Sequence, residues 1–70
     1  MTTSHFDFGA RLIEVQTNLG VSSSELARRV GVARQQIGQW RAAKDARVST
    51  VCRVCEGMDI TYQEFFEAAG

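Results

Sequence analysis

The chain has 70 residues, which is room for one compact domain and not for a second or a tethered effector module. Apolar residues make up 44% of it and charged residues 23%, which excludes a disordered tail, while eight acidic against eight basic side chains exclude a uniformly basic nucleic-acid binder. Its longest apolar runs are two or three residues, such as Phe65-Phe66, too short for a bilayer span or a signal-peptide core, so a soluble, cytoplasmic protein without a membrane partner is expected. The balanced charge hides a segregation along the chain. From Arg28 to Arg53 seven basic residues face only Asp45, for a net +6, and the remainder carries −6.

Met1 to His5 is short and polar, and residues 1–6 are expected to form a flexible N-terminal segment, leaving residues 7–70 as the domain. Phe8, Leu12, Val15 and Leu19 then recur at helical spacing and predict a first amphipathic helix ended by Gly20. Ser22-Ser23-Ser24-Glu25 can cap a second helix, with Ser22 and Glu25 as a capping box, Leu26, Ala27 and Val30 inward, and Gly31 as its stop. A third helix follows over Arg34 to Ala43, with Ile37 and Trp40 on one face. After a basic loop from Lys44 to Val48, Ser49 is expected to cap a fourth helix that turns Val51, Val54, Cys55 and Met58 inward, its last turn weakened by Gly57. Thr61 and Glu64 form a capping box for a short fifth helix bearing Ile60, Tyr62, Phe65 and Phe66. Valine follows three- and four-residue steps rather than alternation, so the expected fold class is all-α, a compact five-helix bundle.

Ser22 to Trp40 is the informative stretch, because one helix ends at Gly31 and the next starts within three residues, so the two must cross steeply. A small residue, Ala27, fits where the second of them packs over the first. On Gly20-Val21-Ser22, the run Ser24 to Val32, the run Arg34 to Trp40, Lys44 and the closing run Met58 to Phe66, the sequence resembles the Cro and phage-repressor family of helix-turn-helix DNA-binding proteins, in particular the lambda-repressor-like DNA-binding domain. The likeness extends over nearly everything from Gly9 to Phe66. It implies a five-helix domain that binds operator DNA as a homodimer and represses transcription, and that grips the DNA backbone at the positions held here by Lys44, Arg47 and Ser49.

The residues of the third helix support this on their own. With Ile37 and Trp40 inward, Arg34, Gln35, Gln36, Gly38, Gln39 and Arg41 are left outside or on the flank. Glutamine can bond adenine N6 and N7 as a pair and arginine guanine O6 and N7, so Arg34, Gln35, Gln36 and Gln39 are candidate base readers, with Ala33 against a thymine methyl. No acidic residue occurs from Ala33 through Lys44 to repel phosphate. Ser22 and Ser23, at the positive end of the second helix, join Arg41, Lys44, Arg47 and Ser49 as candidate phosphate contacts, whereas adjacent Arg28 and Arg29 cannot both face one strand. Tyr62 and Phe66 are expected at a dimer surface with Phe65 inside.

Three departures from the family pattern stand out. Ala33 occupies the usual serine or threonine cap, at a cost of about 1 kcal/mol, and Gly38 costs about as much again within the helix. Where the family pairs an arginine of the first helix with a glutamate after the third helix's last core residue, this chain has Gln16 and Arg41, so Arg41 either turns to phosphate or bonds Gln16.

Cys52 and Cys55 are spaced like a metal or redox pair, but four zinc ligands are not at hand, His5 is the sole histidine, and the βαβ context of a redox motif is missing. They are expected to be packing thiols in a reducing compartment, with no metal, cofactor or small-molecule ligand. No nucleophile has an adjacent base, so an enzyme is not expected. The competing functional reading is a protein-interaction module on the same scaffold, an antitoxin or adaptor that uses the third helix or the aromatic fifth to hold a protein.

Overall fold

The computed structural model describes residues 7–67 as five helices: α1 (Phe8–Leu19), α2 (Ser23–Val30), α3 (Arg34–Ala42), α4 (Val48–Met58) and α5 (Tyr62–Glu67). The domain is all-α, with no strand among the described residues. No helix among them is long and apolar enough to cross a membrane. Residues 1–6, read above as a flexible segment and holding His5, and residues 68–70 lie outside the described part.

The boundaries follow from side chains that satisfy orphan backbone groups. Asp7 accepts the Ala10 N–H at 3.0 Å, and Ser22 accepts the Glu25 N–H at 3.1 Å. Before α5, Thr61 and Glu64 close a reciprocal box at 2.7 and 3.0 Å. The box expected between Ser22 and Glu25 is only half made, because the Glu25 carboxylate is taken by Arg28 and Arg29. Gly31 takes the left-handed conformation (φ 85°) that lets the chain leave α2 and enter α3 through Val32 and Ala33.

All five helices contribute to one core: Phe8, Leu12 and Val15 of α1, Leu26 and Ala27 of α2, Ile37 of α3, Val51, Val54, Cys55 and Met58 of α4, and Phe65 of α5. Trp40 packs against it half-buried. Because α3 rests on both α1 and α2, its inward residues are clamped from two sides and its outer face is presented rigidly. The Phe8 and Gly9 N–H groups, orphans of the first turn of α1, donate to the Lys44 and Ala43 carbonyls at 2.9 and 2.8 Å. This stitch requires a glycine, since a Cβ on Gly9 would sit 2.2 Å from the Arg41 carbonyl oxygen.

Several expectations are corrected. Leu19 is 47% exposed rather than inward, being the last residue of α1 and past the ledge that its neighbours cover. The third helix stops at Ala42, with Ala43 as an extended cap whose carbonyl serves Gly9. Ser49 does not cap α4. The helix starts two residues earlier than that cap implies, at an exposed Val48, and its N-cap is Arg47, whose side chain makes no capping bond. Gly57 is a packing residue: a Cβ there would lie 2.7 Å from Val30 Cγ2, so it lets α4 approach α2 closely.

Candidate functional site

The face of α3 opposite Ile37 is polar and open. Arg34, Gln35 and Gln39 are exposed, Gln36 is half-buried, and Ala33 is exposed just ahead of the helix. Among the described residues, the Arg34 guanidinium and the three glutamine amides make no hydrogen bond or ion pair with the protein. Ala33 provides no side-chain cap, as the sequence implies; the Gln36 N–H donates to the Ala33 carbonyl at 2.9 Å, and no side chain takes up the N–H groups of Arg34 and Gln35 ahead of it.

Arg34, Gln35, Gly38 and Arg41 of α3, with Ser23 of α2, line one open cleft. Two candidate base readers and two candidate phosphate contacts are thus brought together, and among the described residues no carboxylate lines the cleft. Helical geometry puts Arg34, Gly38 and Arg41 in one row, since residues three and four apart share a face.

The alternative left open for Arg41 is decided in favour of Gln16. Arg41 Nη1 donates to Gln16 Oε1 at 3.0 Å and to Ser23 Oγ at 3.2 Å. Gln16, only 3% exposed, is itself fixed by donation from Nε2 to the Val21 carbonyl at 3.1 Å and to Ser23 Oγ at 3.5 Å. This network ties α1, α2 and α3 together. Its acceptors are neutral, so the guanidinium keeps an uncompensated positive charge on the cleft wall, with its other N–H groups available.

The other candidate phosphate contacts lie around this cleft rather than in it. Ser22, exposed, uses its oxygen as the α2 cap and keeps its hydroxyl proton to donate. Lys44 and Arg47 are exposed and have no protein partner among the described residues. The Lys44 backbone is held by the bond from Phe8, which fixes where its side chain departs. Ser49 is exposed in the first, uncapped turn of α4, where backbone N–H groups accompany its hydroxyl.

The charge segregation seen along the chain is weaker in space. Glu25 pairs with both Arg28 and Arg29, and Arg29 also donates to the Gly57 carbonyl at 3.2 Å. Two of the seven cations from Arg28 to Arg53 are therefore occupied. At the far end, Phe65 is buried against Phe8 with ring centroids 5.9 Å apart, while Tyr62 and Phe66 are each 39% exposed and meet edge to face at 5.2 Å. Arg11 donates to the Phe65 and Phe66 carbonyls at 3.1 and 2.7 Å, supporting the last turn of α5.

Both cysteines are free. Cys52 is exposed and Cys55 buried, and burial pushes the Cys55 thiol up to about 11. Among the described residues no cluster of three or more His, Cys, Asp or Glu side chains is placed to hold a metal. Sequence reasoning did not find the stitch at Gly9 or the Glu25 pairing. A glycine in the first turn of a helix is the one local sign of the former. No protein-family model matches the chain, and no curated protein matches its sequence.

Proposed function

We propose that the protein is a sequence-specific DNA-binding transcriptional regulator, a repressor of the lambda-repressor-like helix-turn-helix type, that lays α3 in the major groove of a palindromic operator. The observation that carries this reading is the α3 face itself: three amides and a guanidinium, held out by Ile37 and without partners among the described residues. Polar groups of this kind match the donor and acceptor pattern of base edges. Arg34, Gln35, Gln36 and Gln39 read bases, with Ala33 at a thymine methyl. Ser22, Ser23, Arg41, Lys44, Arg47 and Ser49 hold phosphates, which sets register without specifying sequence. A homodimer joined through Tyr62 and Phe66 would present two copies of α3 about 34 Å apart, one turn of duplex.

The test is fluorescence anisotropy with the DNA upstream of the gene, at a series of salt concentrations. Affinity falls steeply with salt because bound phosphates release counterions. Alanine at Gln35 or Gln39 weakens the cognate site far more than random duplex, and Lys44→Ala weakens both alike. Salt-insensitive binding, or cognate binding unchanged by alanine at Arg34, Gln35, Gln36 and Gln39 together, overturns the reading and leaves the protein-interaction module as its replacement.

A further inference from the structure

Gly38 stands in the middle of α3 without a reason internal to the protein. Its backbone is ordinary helix, with no positive φ, and a Cβ built on it meets no atom within 4 Å. Gly9 and Gly57 differ in kind, since a Cβ on either would collide with the protein. Glycine in a helix interior is unfavourable relative to alanine, so at Gly38 the missing side chain weakens α3 and relieves no crowding. What it does is leave a notch in the cleft, with Arg34 and Arg41 a turn away on either side and the Ser23 hydroxyl on the wall. The Arg41 guanidinium and the Ser23 hydroxyl beside a bare stretch of main chain, with no carboxylate among the described lining residues, form a seat for an anionic oxygen that must come close.

We infer that Gly38 is a ligand-contact position, at which one phosphodiester of the bound strand sits in van der Waals contact with the α3 main chain between Arg34 and Arg41. This rests on the DNA-binding reading above and adds to it a residue that bears no functional group. The glycine determines how deeply the strand seats, and therefore whether α3 reaches the base edges.

The experiment compares wild type, Gly38→Ala and Gly38→Gln on the same cognate duplex, with thermal melting of each free protein. Gly38→Ala melts higher than wild type yet binds about tenfold more weakly, and Gly38→Gln binds more weakly still. A mere stiffening of α3 is complete at alanine, so a loss that does not grow from alanine to glutamine overturns the inference, as does unchanged affinity in Gly38→Ala. A scan of single neutral methylphosphonates along the duplex gives the second readout. One position weakens wild type about tenfold and leaves Gly38→Gln unaffected, and equal effects on both proteins at every position overturn the phosphodiester assignment. Failure of wild type to bind any duplex is a different result, which removes the DNA-binding reading and this inference with it.

Discussion

Helices α2 and α3 are neighbours of nearly equal length, both rich in arginine, and they treat their polar groups in opposite ways. On α2 the Ser22 oxygen is bonded, Glu25 gathers Arg28 and Arg29, and Arg29 also reaches the Gly57 carbonyl on α4. On α3 the side-chain cap is missing, and among the described residues Arg34 and the glutamines are unpaired and Arg41 is held by neutral acceptors. The lesson is that residue type does not mark a binding face. Arginines one helix apart are solvated structural ion pairs in one case and, in the other, an open donor at Arg34 and a donor held by neutral acceptors at Arg41, and what separates them is whether a carboxylate lies one helical turn away.

Several measurements would break or sharpen that contrast. The largest effect is expected from Gly9→Ala, which drives a methyl group into the Arg41 carbonyl and removes the anchor behind α3. A loss of about 3 kcal/mol in urea unfolding is expected, enough to melt much of a small domain, with the open face lost along with its support. Gln16→Leu comes next. It leaves the Val21 carbonyl without its donor and Arg41 without its orienting partner, for about 2 kcal/mol of stability by thermal denaturation. A stability equal to wild type would mean that the network is incidental.

Gln35→Ala should leave the melting temperature unchanged and cost about 2 kcal/mol, near 30-fold, in cognate DNA affinity. The same contrast between open and closed groups exists within α4, where Cys52 is exposed and Cys55 buried. An alkylating reagent should modify Cys52 alone in the folded protein, read by intact mass. Because burial raises the Cys55 value from 9.0 to about 11, the folded state holds that proton more tightly than the unfolded state. Its contribution to stability is complete below pH 9 and is lost as pH rises toward 11, so the advantage of wild type over Cys55→Ala in urea midpoints should shrink through that window. The smallest effect belongs to Arg28→Ala: its side chain is 75% exposed, and removing it should change stability by less than about 0.5 kcal/mol and leave DNA affinity nearly unaltered. A large affinity loss there would erase the distinction between α2 and α3.

The helices were legible in the sequence because their signals are local. Apolar spacing placed Leu12, Val15, Leu26, Ile37, Val54 and Phe65 in the core, and the Thr61–Glu64 box and the stop at Gly31 depend on residues a turn apart. Errors fell at helix ends, as with Ser49 and Leu19, where a shift of one or two residues changes a cap into a first-turn position or an inward residue into an exposed one. The open α3 face was legible for the same reason as the core, since fixing Ile37 inward by periodicity fixes its opposite face.

By itself, then, the sequence determined the five-helix all-α layout and which side chains of α3 face away from Ile37, because propensity, capping and periodicity act within a few residues. Only the tertiary structure decided that Arg41 turns to Gln16 and Ser23, that Gly9 and Gly57 are points of helix contact, and that Gly38 is not. Those outcomes depend on the approach of segments distant along the chain, where differences of an ångström decide between a bond, a clash and an open notch.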